Sequence, residues 1–437
     1  MFQRKLIAVF GVVALLAVTA GVGQASLSRL EGMGLSDAAL RQFTDDYANI
    51  YYYPTSVVRQ NNLVLAEVGN NPGGFVDPVT HADQSLTLIK SFPNFGSIAY
   101  QMKQTALNSD FPSNLTHEQI DLIWGKGFAN LDVAVRIDMT NSSFEFDDNT
   151  PFHFEMRGSG FGVFDPYPFG AVAPDLIAAT GTELNTWGVT PAVAFHLKDD
   201  DRVETAITFR DYSLDRSATA GGVAGEEWKT SDGMSYSIAA RAFLHSGDRA
   251  TWIPALWYVN DDLSYEVNNV FLGPRAVDES YKSLGLGVSH NMRVNDNNLL
   301  IFGVRVSQFK SSFERTDNNT GGATTETKTN EFTGMLAPEF FASLETDATD
   351  WLKIRLGATK ARITTKEEFT DFGTPTALSE TTKETFSDFE FALGTGIKFN
   401  NLDIDMTLNE SFPLSGGWIL SGDPATPFTR VSGTYHF

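Results

Sequence analysis

Residues 186–210 contain two segments, TWGVTPAVAFHLK and RVETAITFR, separated by three aspartates. In the first, Trp187, Val189, Pro191, Val193, Phe195 and Leu197 alternate with Gly188, Thr190, Ala192, Ala194, His196 and Lys198. In the second, Val203, Thr205, Ile207 and Phe209 oppose Glu204, Thr208 and Arg210. Period-two alternation marks a β-strand with one apolar and one polar face. The pair therefore reads as a hairpin.

The pattern recurs. Leu131, Val133, Val135, Ile137 and Met139 oppose Asp132, Ala134, Arg136, Asp138 and Thr140; DWLKIRLGATKAR and NLDIDMTLN behave alike, with similar segments near 232–244, 249–259, 282–293, 299–310, 331–344, 385–398 and 428–437. A soluble sandwich alternates too, so connection lengths decide. Short connections (399–400, 345–349, 294–298, 245–248, 199–201) take turns with long ones (411–427, 364–384, 311–330, 260–281, 214–231, 142–185). Short turns on one rim and long polar loops on the other characterise transmembrane barrels. The last residues, TRVSGTYHF, place Val431, Tyr435 and Phe437 on one face and resemble the C-terminal assembly signal of outer-membrane barrels, with Gly433 where that signal carries an apolar side chain.

The chain begins MFQRKLIAVFGVVALLAVTAGVGQA, a basic, then apolar, then small-residue sequence that reads as a cleaved signal peptide over 1–25. The absence of cysteine excludes a lipid-anchored N-terminus, disulfides and thiolate metal sites. Loss of Arg4 and Lys5 moves the formal charge from −22 to −24, which argues against nucleic acid as a partner. Acidic external loops suit divalent cations at a lipopolysaccharide surface, though a solvated surface is the more ordinary explanation. The expected fold is all-β: a transmembrane antiparallel β-barrel of about fourteen strands, twelve and sixteen remaining open, over residues 62–437. The segments before 125 alternate poorly, and THEQIDL at 116–122 has a capping-box start suggestive of a helix.

The polar face carries Asp132, Arg136, Asp138, Glu204, Arg210, Arg241, Arg305, Glu339, Lys353, Arg355, Glu390, Asp403 and Asp405. Mixed signs favour a paired lumen wall or a neutralised plug over a charge-selective pore. Residues 26–61 are the expected hatch in the lumen, with Ser36 capping a short helix through Ala38, Leu40 and Phe43; a helix against the periplasmic rim is the alternative.

Within that segment Gly32, Met33 and Gly34, the acidic pair Asp45 and Asp46, then Ala48, Ile50, Tyr52 and Pro54 follow a GMG…DD-x-A-x-I-x-Y-x-P pattern. It resembles the N-terminal hatch of the long-chain fatty-acid transporter (FadL/TodX) superfamily and its PorV-like relatives. Tyr53 stands at that family's asparagine, and Thr55-Ser56 replace its Ala-Gly. The resemblance implies fourteen strands, a lumen hatch and passive uptake of a hydrophobic compound through a gap in the wall. PorV-like members serve protein secretion and surface attachment instead.

The loop 142–185 is apolar in its middle, and Phe161, Phe164, Tyr167, Phe169, Leu176 and Ile177 are the candidate ligand-binding residues. A self-packed lid and an extra hairpin over 151–160 are the alternatives. The seven histidines are scattered, no G-x-S-x-G or HExxH occurs, and the aspartate-rich turns lack calcium-loop spacing. No enzyme activity, metal or cofactor is expected. The expected function is uptake of a hydrophobic or amphipathic, fatty-acid-like molecule across the outer membrane. A protein-secretion or attachment partner is the runner-up and a general porin the third reading. Expected partners are outer-membrane lipid and lipopolysaccharide, a hydrophobic small molecule, and a secretion-system protein.

Overall fold

The computed structural model describes residues 26–35, 37–60, 62–69, 83–106, 116–145, 179–198, 200–220, 223–269, 273–318, 325–371, 378–408 and 428–437. The expected signal peptide, 1–25, and the candidate ligand residues 161–177 lie outside this set.

Sixteen antiparallel strands close into one barrel, each paired with its neighbours in sequence, and β1 (Leu63–Gly69) seals the cylinder by pairing with β16 (Phe428–His436). The other strands are β2 (Asp83–Phe92), β3 (Gly96–Ala106), β4 (Thr116–Gly127), β5 (Leu131–Glu145), β6 (Ala179–His196), β7 (Arg202–Ala220), β8 (Val223–His245), β9 (Ala250–Asn269), β10 (Gly273–Asn295), β11 (Asn298–Asn318), β12 (Thr325–Asp347), β13 (Leu352–Asp371), β14 (Leu378–Phe399) and β15 (Leu402–Leu408).

The expected count of about fourteen is corrected to sixteen. The strands it underweights, β1–β4, show little contrast between faces. In β1, Leu63 and Leu65 point inward onto the plug while Val68 points out, so both faces are apolar. The suggested helix at 116–122 is part of β4. There Ile120 and Leu122 face out, Asp121 faces in, and ladders to β3 and β5 override the local capping signal.

Several expected long loops are strand instead. β11 and β12 reach Asn318 and Thr325, and β13 and β14 reach Asp371 and Leu378. The apolar period fades once a strand leaves the lipid, but backbone pairing continues with polar side chains on both faces.

The opening hairpin shows the rule of the wall. Thr186, Gly188, Thr190, Ala192 and Ala194 face inward and are buried, whereas Trp187, Pro191, Phe195 and Leu197 face outward and are exposed. Ile207, Phe209, Leu256, Leu284, Leu286, Phe302 and Phe340 extend this outer belt. Phe95, Phe128, Trp252, Trp351, Phe399 and Phe437 ring the short-turn rim. An apolar band above an aromatic girdle on a closed barrel is an outer-membrane surface, with the short-turn rim in the periplasm. The chain is therefore an outer-membrane β-barrel.

Residues 26–60 lie inside, in the periplasmic half of the lumen. They form α1 (Leu27–Gly32), α2 (Ala38–Arg41) and two 3-10 turns, Tyr47–Tyr51 and Pro54–Arg59. Ser26 caps α1 by accepting from the Arg29 amide at 3.1 Å. The cap of α2 is Asp37, which accepts from the Ala39 amide at 2.8 Å, not the expected Ser36, which lies outside the described residues.

Candidate functional site

Small wall residues make room for the plug. Leu30, Met33, Leu40, Phe43 and Tyr53 pack against Ala192, Ala206, Ala239, Ala255 and Phe341, with Phe43 stacked on Phe341 at 5.1 Å between ring centres. On the opposite side Tyr47, Ile50 and Val57 meet Leu63, Leu65, Ile89, Ala99 and Ile123. Contact is closest at Gly357, where an added Cβ would stand 2.1 Å from the Met33 carbonyl, and at Gly394, where it would stand 2.7 Å from the Gly32 Cα. Gly34, at φ +69°, turns the chain there.

Charges then fasten the plug around its circumference. Glu204 on β7 accepts from Arg202 at 2.8 Å, from Arg241 at 2.8 Å, and from Arg59 of the plug. Arg241 lies over the Tyr53 ring at 4.1 Å and donates to the Gln42 and Thr44 carbonyls at 3.0 and 2.8 Å. Across the lumen Arg29 bonds Glu345 at 2.6 Å and Asp46 at 3.0 Å, while Arg355 bridges Glu345 and Asp405 at 2.7 and 2.8 Å. Arg305 joins Asp37 to Glu339, and Arg430 bonds Glu31 at 2.9 Å.

The acidic pair therefore splits: Asp46 turns to Arg29, while Asp45 pairs with Arg202 at 2.6 Å. Burial pushes the Asp46 carboxyl up to about 7, against the opposing pull of Arg29 and the Ala48 amide. Burial also raises the Tyr53 phenol, whose hydroxyl donates to Gln42 at 3.1 Å. Pro54 opens the second 3-10 turn.

Above the plug, on the extracellular side, is a vestibule of about 110 Å³. Tyr51, Tyr52, Arg41 and Ala48 form its floor, and Lys103, Arg136, Arg210, Arg430 and Asp261 stand in its walls. The countercharges sit behind: Asp121 accepts from Arg136 at 2.6 Å, and Asp138 from Arg210 at 2.8 Å. Arg136 also donates to the Tyr51 carbonyl at 2.7 Å, tying the vestibule wall to the plug.

Of the expected wall residues, Arg136, Arg210, Arg241, Arg305, Glu339, Arg355, Asp403 and Asp405 all face inward and are buried. Glu390 is exposed, on the part of β14 beyond the plug. Glu339 reaches the lumen through an irregularity between Leu336 and Glu339, without which Met335 and Glu339 would share a face. Sequence reasoning missed Arg41, Lys103, Tyr51, Asp261 and Arg430. Arg430 was within reach, since it alternates with the outward Val431. Lys103 belongs to a strand that alternation did not mark.

His196 lies 3.0 Å from Asp132, and His436 3.4 Å from Asp403. No group of three or more metal-ligating side chains occurs among the described residues.

No family model matches the chain, and no curated protein does. Solved structures similar to it include the ferric-catecholate import receptor Fiu of E. coli K12, at 10% identity and a TM-score of 0.37, covering 86% of this chain and 82% of that one. The ferric yersiniabactin uptake receptor FyuA of Yersinia pestis matches at 9% and 0.39, covering 80% and 68%. The siderophore receptor PiuA of Acinetobacter baumannii matches at 9% and 0.35, covering 86% and 82%. Likeness this distant carries no argument about a ligand.

The resemblance to the FadL/TodX superfamily is overturned. It implies fourteen strands and a wall gap, whereas sixteen strands pair in an unbroken circuit. The short GMG…DD pattern misleads because its glycines and acids serve plug packing and ion pairing, which any plugged barrel needs.

Proposed function

We propose that this chain takes up a small, polar, anionic solute across the outer membrane, with residues 26–60 as a plug that must shift for passage. The observation that carries the reading is the vestibule. Five cationic side chains face it against one carboxylate, Asp261; the partners of Arg136 and Arg210 are set behind them, and the plug is its floor. Such a site recognises an anion by charge-assisted hydrogen bonds. A fatty-acid-like ligand does not suit it, because an alkyl chain would have to desolvate arginines and a lysine. A permanently open porin does not suit a lumen whose periplasmic half is packed with buried side chains.

Reconstituted vesicles loaded with a chloride-sensitive dye test this. The full chain should pass chloride slowly, and a variant lacking residues 26–60 should pass it many times faster, with anions favoured over potassium. Equal flux from both proteins would mean that the segment does not close the pore. Cation preference in the shortened barrel would remove the anionic substrate class.

A further inference from the structure

The first turn of the plug sits where negative charge is under-compensated. Ser26 is fully buried, and its hydroxyl donates at 2.9 Å to Asp405, which stands three residues above the periplasmic end of β15. The next amide, Leu27, donates to Glu67 of β1 at 2.8 Å. Five carboxylates are in direct contact with this turn or with its partners: Glu31, Asp46, Glu67, Glu345 and Asp405. Three guanidiniums bond them, those of Arg29, Arg355 and Arg430, and a fourth, Arg41, acts on Glu67 without a direct bond, so the carboxylates still outnumber the cations. Lys353 and Lys398 border an adjoining pocket, but Lys353 is held by Asp347 at 2.6 Å. Buried carboxylates in excess of their cations are costly.

The sequence supplies a missing cation. Its small-residue exit GQA ends at Ala25, immediately before Ser26. We propose that proteolysis completes the plug: hydrolysis of the Ala25–Ser26 bond leaves an α-ammonium group on Ser26 inside the barrel, paired with Asp405 and Glu67. In that step a signal peptidase adds water across the peptide bond. Ala25 departs with a carboxylate, and the Ser26 nitrogen takes up the proton. The new ammonium is three bonds from the hydroxyl already on Asp405, and one residue from the amide already on Glu67. Cleavage thus does more than release the chain from its leader. It adds a positive charge beside Asp405 and Glu67, where the carboxylates outnumber their cations.

N-terminal serine offers a selective probe, because periodate cleaves the 1,2-amino alcohol of a serine only when its α-amine is free. The mature barrel, purified from outer membranes, is weighed intact and then treated with periodate in its folded and its denatured state. The expected mass is that of a chain starting at Ser26. The folded protein should react roughly tenfold more slowly or less, as for a group reached only through local opening. Asp405→Asn, or Glu67→Gln should the first fail to fold, should speed the folded-state reaction. A mature chain starting elsewhere overturns the proposal. So does a folded protein that reacts as fast as the denatured one, and so does folded-state reactivity unmoved by both substitutions.

Discussion

The plug meets the wall in two ways, and the two contacts do different work. Towards β6–β12 it is apolar, with Leu30, Met33, Leu40 and Phe43 against alanines and Phe341. Around the circumference it is ionic, with Arg29, Glu31, Asp37, Asp45 and Arg59 each reaching a partner on the barrel. Apolar contact is tolerant of small shifts, whereas a guanidinium and a carboxylate must meet in register. The small residues therefore admit the plug, and the ion pairs fix where it stops. A plug held this way can be released without unfolding the barrel, since none of these bonds belongs to the strand ladders.

Removing the shared carboxylate of the Glu204 cluster is the strongest test of the ionic contact. Glu204→Gln leaves Arg59, Arg202 and Arg241 crowded together, and breaking a buried pair in this way costs about 3–5 kcal/mol. Hydrogen exchange should show plug amides, Ala48 and Ser56 among them, losing protection while strand amides keep theirs. Loss of protection throughout would show that the cluster holds the barrel and not the plug.

A smaller effect is expected from pH. Asp46 has a folded value near 7 against an ordinary 3.8, so the docked plug binds a proton that the released chain gives up. Its contribution is favourable below the lower value and is lost as pH rises from about 4 to 7, at no more than about 1.4 kcal/mol per pH unit. Protease sensitivity of the plug should therefore be greater at pH 8 than at pH 5, and Asp46→Asn, which retains the cap on Ala48, should flatten the difference. A difference that survives in this variant would place the titrating group elsewhere.

The apolar contact is the most forgiving. Gly357→Ala forces a methyl against the Met33 carbonyl and should cost about 1–3 kcal/mol of docking, read as a modest rise in chloride flux through an otherwise intact barrel. Gly433, with nothing within 4 Å of an added Cβ, is the control and should accept alanine without change.

Much of the wall was legible because membrane and lumen impose opposite demands on alternate residues. From Leu131 onward the period-two pattern names the strands and assigns Arg136, Arg241, Arg305 and Arg355 to the inside, as found. It fails in β1, where Leu63 and Leu65 face a plug instead of water, so that inside and outside both select apolar residues. It also fails in the upper strands, where Ser, Thr and charged residues occupy both faces.

The vestibule was the least legible part, because its lining comes from strands that lie far apart in the chain. Lys103, Arg136, Arg210 and Arg430 become neighbours only when β16 closes onto β1. By itself, then, the sequence determined the barrel class and the two faces of most strands, since both are written in local composition and a two-residue period. Tertiary structure alone decided that there are sixteen strands, which acid meets which arginine, and where the plug comes to rest. Those depend on ring closure and on contacts between residues hundreds of positions apart, for which no local pattern is required.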